Sequence, residues 1–147
     1  MRTPLDVSTA YLAHPLGGDV DANVERAVRW LAWLMPLEPH LAIVAPWLPF
    51  VQVFRLITKP GDDDRGHPFR ERCMRDNLAV ARRFDGIILC GGTFSQGMRE
   101  EQAYVETSGG WTADLTELGP EPPPEWSMQL GTPTGHGRIA WATRSNR

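Results

Sequence analysis

Glu101 is the residue of this chain best placed to do chemistry. It follows a short apolar strand, Ile87-Ile88-Leu89-Cys90, and the turn Gly91-Gly92-Thr93-Phe94-Ser95-Gln96-Gly97. Met98, Glu101, Gln102 and Val105 then recur at helical spacing, so Glu101 shares an inward stripe with Met98 and Val105. Its neighbour Glu100 is turned roughly 100° away, toward solvent. An inward carboxylate just past a strand end is where an α/β protein keeps a nucleophile or a general base. The same position also suits a partly exposed helical glutamate, or a structural partner for an arginine.

The elements needed to hold Glu101 can be read from hydrophobic patterning. Val7 to Ala13 reads as a first strand, ended by His14-Pro15, with Gly17-Gly18 as a turn. Asp19 or Asp21 caps a helix carrying Val20, Val24, Ala27, Val28, Leu31, Ala32, Leu34 and Met35 on one face. Pro36 and Pro39 are expected to stop it. Leu41 to Ala45 is a short, wholly apolar run, the mark of a strand covered on both sides. A short helix is expected over Phe50 to Thr58, then a loop from Lys59 to Asp64. A longer helix is expected over Phe69 to Phe84, with Phe69, Cys73, Met74, Leu78 and Ala81 facing inward. After the Glu101 helix, Gly109-Gly110 lead to a last strand over Trp111 to Thr116. The stretch from Pro120 to Arg147 is rich in proline and glycine and reads as an extension, with a short strand around Arg138 to Thr143. The expected organisation is one α/β domain over residues 1–119 and an extension over 120–147. Alternating strands and helices imply a parallel sheet of four to five strands with helices on both faces.

In such a sheet, ligands bind beyond the carboxyl ends of the strands. That rule selects Tyr11, His14, Gly17 and Gly18 after the first strand. It selects Trp47 after the second, and Ser95 and Gly97 after the third. Gly17-Gly18 is either an anion cradle at a helix N-terminus or a plain tight turn. Ser95 is an N-cap serine whose hydroxyl can also meet a phosphate. Tyr11 suits the core, with its hydroxyl finding some partner. Asp85 opens the third strand at a helix-strand junction. Cys90 reads as a small buried hydrophobe. Asp62-Asp63-Asp64 reads as a solvated loop, and no histidine-cysteine set supports a zinc site.

Composition bounds the partners. The 147 residues carry 41% hydrophobic and 22% charged residues and a net charge of −3, ordinary for one globular domain. No basic run reads as a phosphate-backbone stripe, so a nucleic acid polymer is not expected. No apolar run is long enough to span a bilayer. The N-terminus carries no signal-peptide core, and two cysteines suit a reducing cytoplasm. Six tryptophans suggest an aromatic pocket or a subunit interface. There is no Gly-x-Ser-x-Gly elbow and no Walker loop.

Three segments in order resemble the nucleoside 2-deoxyribosyltransferase-like family. Tyr11-Leu12-Ala13-His14-Pro15 resembles its Tyr-Leu-Ala-Gly-Pro opening. Phe84-Asp85-Gly86-Ile87-Ile88-Leu89 resembles its aspartate-led third strand. Gly97-Met98-Arg99-Glu100-Glu101 resembles its Gly-Thr-x-x-Glu segment. The resemblance spans roughly residues 7 to 119. It implies a flavodoxin-like or Rossmann-like three-layer sandwich, with Glu101 as nucleophile, Tyr11 orienting it, and Asp85 near the sugar or base. The transferases carry a base-contacting aspartate where Ser95 stands here. The related nucleoside 5′-monophosphate N-glycosidases carry a phosphate-binding serine there and a glycine-rich loop like Gly17-Gly18. His14 departs from the family's glycine, and Leu16 stands where those glycosidases carry an arginine.

The resemblance implies cleavage of the N-glycosidic bond of a nucleoside or nucleotide through a covalent glycosyl-glutamate. Trp47 or Phe50 is available to stack on the base and His14 to line the phosphate end. No cofactor or metal is needed, and a homodimer or larger homo-oligomer is expected. Two other readings stay open: a nucleotide-binding or sensing module without turnover, and a flavodoxin-like protein that binds flavin.

Overall fold

The computed structural model describes residues 7–59 and 67–123. The elements run β1 (Ser8–Ala13), α1 (Val20–Leu37), β2 (Leu41–Val44), α2 (Trp47–Ile57), α3 (Pro68–Ala81), β3 (Gly86–Leu89), α4 (Gln96–Thr107) and β4 (Trp111–Asp114), closed by a 3₁₀ turn over Thr116–Leu118. All four strands are parallel, in the order β2-β1-β3-β4. The fold is therefore α/β, with the strand order of a flavodoxin-like three-layer sandwich. Right-handed crossovers place α1 on one face of the sheet and α2, α3 and α4 on the other. In keeping with that, α3 packs against both α2 and α4.

β1 is the central strand. Tyr11 pairs with Val44 on one side and Ile87 on the other, and Ala10 to Ala13 are fully buried. The residues of β3 are buried on both faces as well, and that strand is a continuous apolar run. β2 differs from the expectation of a strand covered on both sides. It pairs with β1 alone, and Val44 at its end is 48% exposed. The crossover order makes it an edge, which its apolar sequence does not reveal.

The ladder between β1 and β2 stops at Tyr11 and Val44. The next carbonyl of β1 on that side, Leu12 O, would be left buried without a donor. Trp47 Nε1 donates to it at 2.8 Å, which fixes the first residue of α2 against the sheet. α2 thus begins three residues before the expected helix over Phe50 to Thr58.

α1 buries Asn23, Ala27, Trp30, Trp33, Leu34 and Leu37. The expected stripe was rotated: Val28 and Met35 lie half in solvent. The helix is apolar nearly all round from Val28 onward, and the two indoles carry the larger area into the core. Pro36 does not stop α1. It occupies the last turn, where the Glu38 N–H still donates to Leu34 O at 3.0 Å. In α3, Ala81 is buried and Phe69, Cys73 and Leu78 are half-buried, whereas Met74 faces solvent. The expected loop over Lys59 to Asp64 falls largely outside the described residues, as does the expected strand around Arg138 to Thr143.

The extension expected from residue 120 begins inside the fold. Pro120 O accepts from Trp30 Nε1 at 3.0 Å, and Glu121 meets Arg26 and Arg29 of α1. Pro122 is buried.

The turn after β3 is set by glycine. Gly91 has φ +99°, and a Cβ there would stand 2.7 Å from the His14 ring and 2.6 Å from Pro15 Cδ. Gly18 also has positive φ, but open space surrounds it. Gly91→Ala should therefore cost about 2–4 kcal/mol, against about 1 kcal/mol for Gly18→Ala. Urea unfolding of the two variants checks this, and equal losses would mean that the packing of His14 on Gly91 contributes nothing.

Candidate functional site

Ser95 opens α4. Its Oγ accepts the Met98 N–H at 3.3 Å, and its carbonyl accepts the Arg99 N–H at 3.0 Å. The N–H groups of Gln96 and Gly97 and the Ser95 hydroxyl proton meet no acceptor among the described residues. No acidic residue stands in the first turn, so the positive end of this helix is unneutralised. Arg99 leans over the Phe94 ring at 4.3 Å. Met98 and Val105 are buried, and they carry Glu101 on the same stripe toward the sheet.

There Glu101 meets Tyr11. The Tyr11 hydroxyl is buried, and no acceptor satisfies full hydrogen-bond geometry. The Glu101 carboxyl is nonetheless close enough for the two to couple. The contact is therefore first an electrostatic one, with the hydroxyl on the donor side. Burial raises the Glu101 pKa from its ordinary 4.5 to about 7; the tyrosine hydroxyl lowers it, and the Glu100 charge adds to the rise. Burial, then the charge of Glu101, raises the Tyr11 pKa far enough to keep the phenol protonated. The pair is thus a carboxyl that titrates near neutrality beside a permanent donor.

His14 caps the carboxyl end of β1. It is buried and roughly parallel to Trp47, with ring centroids 6.5 Å apart. Nδ1 lies 2.6 Å from Pro15 O, so Nδ1 carries the proton and Nε2 is a buried lone pair without a partner. Burial lowers the His14 pKa, Arg26 adds to that, and Pro15 O and Glu121 oppose it. Trp47 is 5% exposed and committed to Leu12 O, so it is an anchor of the sheet rather than a free stacking platform.

Gly17 and Gly18 are exposed and open. Asn23 Nδ2 donates to the carbonyls of Leu16 and Gly17, both at 3.0 Å, and this holds the loop. The Asp19 side chain accepts from Ala22 N–H, and Asp21 lies in the first turn, bonded to Arg55. Two carboxylates therefore already stand at the N-terminus of α1. Of the two helix ends singled out for an anion, the one at Ser95 to Gly97 is the better. Cys90 is buried and donates to Ala13 O at 3.5 Å; burial raises its pKa well above the ordinary value, so it is inert.

Asp85 is not brought to Glu101. It sits at the amino edge of the sheet, where its Oδ2 accepts from Thr9 N–H at 2.8 Å and Thr9 Oγ1 at 3.1 Å. Its own N–H and carbonyl join β1 to β4, through Thr9 O and Trp111 N–H. The reason is its position before β3, whereas the catalytic candidates follow the strands. Asp85 staples three strands together. Conversely, Asn23, Arg26, Arg29 and Glu121 form a polar cluster near His14 that sequence patterning missed. The two arginines sit at i, i+3 on α1, but nothing in sequence pairs them with a carboxylate more than 90 residues away.

Two measurements check the dyad. Glu101 is half-protonated near pH 7 when folded and near pH 4.5 when unfolded. Folding therefore takes up protons between these values, and stability contributed by this site falls as pH rises from 4.5 to 7. Glu101→Gln should leave stability unchanged at pH 4 and raise it by roughly 2–3 kcal/mol at pH 8. A gap independent of pH would show that Glu101 is not buried as described. Tyr11→Phe removes the one group that lowers the Glu101 pKa, so the carboxyl ¹³C titration midpoint should move further above 7; a downward move contradicts the contact.

Among the described residues no group of histidine, cysteine and carboxylate side chains is arranged to hold a metal, and no helix is long and apolar enough to cross a membrane. Compared with family models, with curated proteins and with solved structures, the chain matches none.

Proposed function

We propose that the protein cleaves the N-glycosidic bond of a nucleoside 5′-monophosphate or nucleoside, with Glu101 as nucleophile. The observation that carries this reading is the half-buried Glu101, its carboxyl facing the Tyr11 hydroxyl, one and a half turns into a helix that starts beyond the carboxyl end of a parallel strand. A Glu101 oxygen attacks C1′ of the sugar, and the base leaves with the electron pair of the C1′–N bond. Water then attacks C1′ and releases Glu101 with retained configuration. Tyr11 holds the carboxylate through its O–H and limits the cost of burying the charge. The substrate phosphate lies at Ser95 to Gly97, where a hydroxyl proton and two N–H groups are free and the helix end is positive.

No cofactor takes part in this mechanism. The exposed apolar positions Val44, Val53, Leu56 and Ile57, on β2 and α2, suit a homodimer, and free Cys73 and Cys90 suit the cytoplasm. A second reading, a nucleotide-binding module without turnover, is favoured by the position of Asp85, which leaves the site one carboxylate short of the resemblance.

The test is a panel of nucleosides and nucleoside 5′-monophosphates assayed for released base. Release should be fastest with a monophosphate. Because Glu101 must be ionised to attack, kcat should rise with pH through about 7. Glu101→Ala should lower the rate roughly thousandfold or more. Wild-type rates in that variant refute the mechanism. Absence of release from every substrate, with a nucleotide still raising Tm, gives the binding-module reading instead.

A further inference from the structure

Residues 119–121 cross from the β3-α4 turn to α1. A Cβ on Gly92 would stand 2.7 Å from Pro120 N and 3.0 Å from the Gly119 carbonyl carbon, so the strap lies directly on that turn. On its other side Pro120 O receives the Trp30 indole, and the next side chain, Glu121, is gripped by two guanidinium groups. Arg29 Nη2 and Nε donate to the two oxygens of Glu121 at 2.8 and 2.9 Å, a fork on a carboxylate. Arg26 Nε adds a third bond at 3.3 Å, and its Nη1 is steadied by Asn23 Oδ1 at 3.4 Å. Asn23 also holds the Gly17-Gly18 loop. His14, at the end of β1, lies within electrostatic reach of both Arg26 and Glu121.

Three features suggest an occupied anion subsite rather than a structural ion pair. A planar fork that grips a carboxylate in two-point fashion also fits two oxygens of a phosphate. Glu25 adds its charge near Arg29, so two carboxylates balance the two arginines while Glu121 is bound, and displacing Glu121 leaves one positive charge in excess for the incoming anion. The Glu121 side chain is 47% exposed and the arginines about a third, so water screens the ion pairs, and the larger cost of exchange is the Trp30-Pro120 contact.

We propose that Arg26 and Arg29 form a subsite for a phosphate monoester, and that Glu121 is its built-in competitor, displaced together with the strap when the phosphate binds. That the anion is the phosphate of a nucleotide rests on the function proposed above. The strap passes between these arginines and the turn that leads to Ser95, so its release would open the subsite toward the α4 N-terminus. Arg26 and Arg29 would then supply from α1 the positive charge that Leu16 does not provide from the first loop. An intramolecular carboxylate acts as a competitor at millimolar effective concentration, so apparent affinity is lowered by the fraction of time it is bound.

The test is calorimetric titration of inorganic phosphate and of ribose 5-phosphate into the wild type and Glu121→Gln. Removing the competing charge should tighten binding of both about three- to tenfold. Adding Arg29→Ala to Glu121→Gln should abolish the gain. Unchanged or weaker binding in Glu121→Gln, or a gain that survives Arg29→Ala, overturns the proposal. Where Glu121→Gln lowers Tm enough to obscure titration, the wild type decides: the Trp30 indole N–H resonance should shift on phosphate saturation as Pro120 leaves, and an unmoved resonance overturns displacement. Neither readout needs base release. A Glu101→Ala background that keeps the Glu121→Gln gain separates this subsite from the glycosidase chemistry.

Discussion

β1 is bonded along both edges and buried on both faces, and the candidate site depends on that strand more than on any other element. A central parallel strand leaves no room for a polar side chain unless a partner meets it. Tyr11 is the one polar-tipped residue in its middle. Its ring packs edge-on against Phe84 at 5.5 Å, and its hydroxyl reaches the layer between sheet and α4. That hydroxyl and Glu101 depend on each other. Without the phenol the carboxyl would be pushed further toward its neutral form. The same strand also sets the ends of its neighbours: Leu12 O anchors α2 through Trp47, Ala13 O receives Cys90, and Thr9 receives Asp85.

Burial raises the pKa of the Glu101 carboxyl to about 7. Burial alone favours the neutral acid, which is no nucleophile. The tyrosine hydroxyl pulls toward the ionised form. The balance leaves both forms populated near neutral pH. Asp85 shows the opposite case. It is exposed, bonded to Thr9 and structural, although its segment resembles that of a catalytic aspartate.

The polar cluster on α1 adds a second layer of organisation. Asn23 ties the first glycine loop to Arg26, and Arg26 and Arg29 tie α1 to the strap after β4. The strap in turn lies on the second glycine turn at Gly92, whose φ of +82° admits the close approach. Two loops distant in sequence are thus linked through a handful of polar contacts that are partly solvated. Such contacts position segments firmly enough to define a surface.

The sequence by itself was enough for the alternation of strands and helices, the parallel sheet, and the inward phase of Glu101, because hydrophobic periodicity acts locally and repeats. It also marked Ser95 as a helix cap, since capping is decided within four residues. Tertiary structure alone decided which end of the sheet Asp85 serves, because a residue before a strand and one after it look alike in local sequence. It made β2 an edge, turned the Trp30 and Trp33 face of α1 inward, and committed Trp47 to a backbone carbonyl. It also brought Glu121 to Arg26 and Arg29, a pairing that arises only when the chain returns from β4 across the carboxyl side of the sheet. Each of these depends on contacts between segments far apart in sequence, which spacing within one segment does not encode.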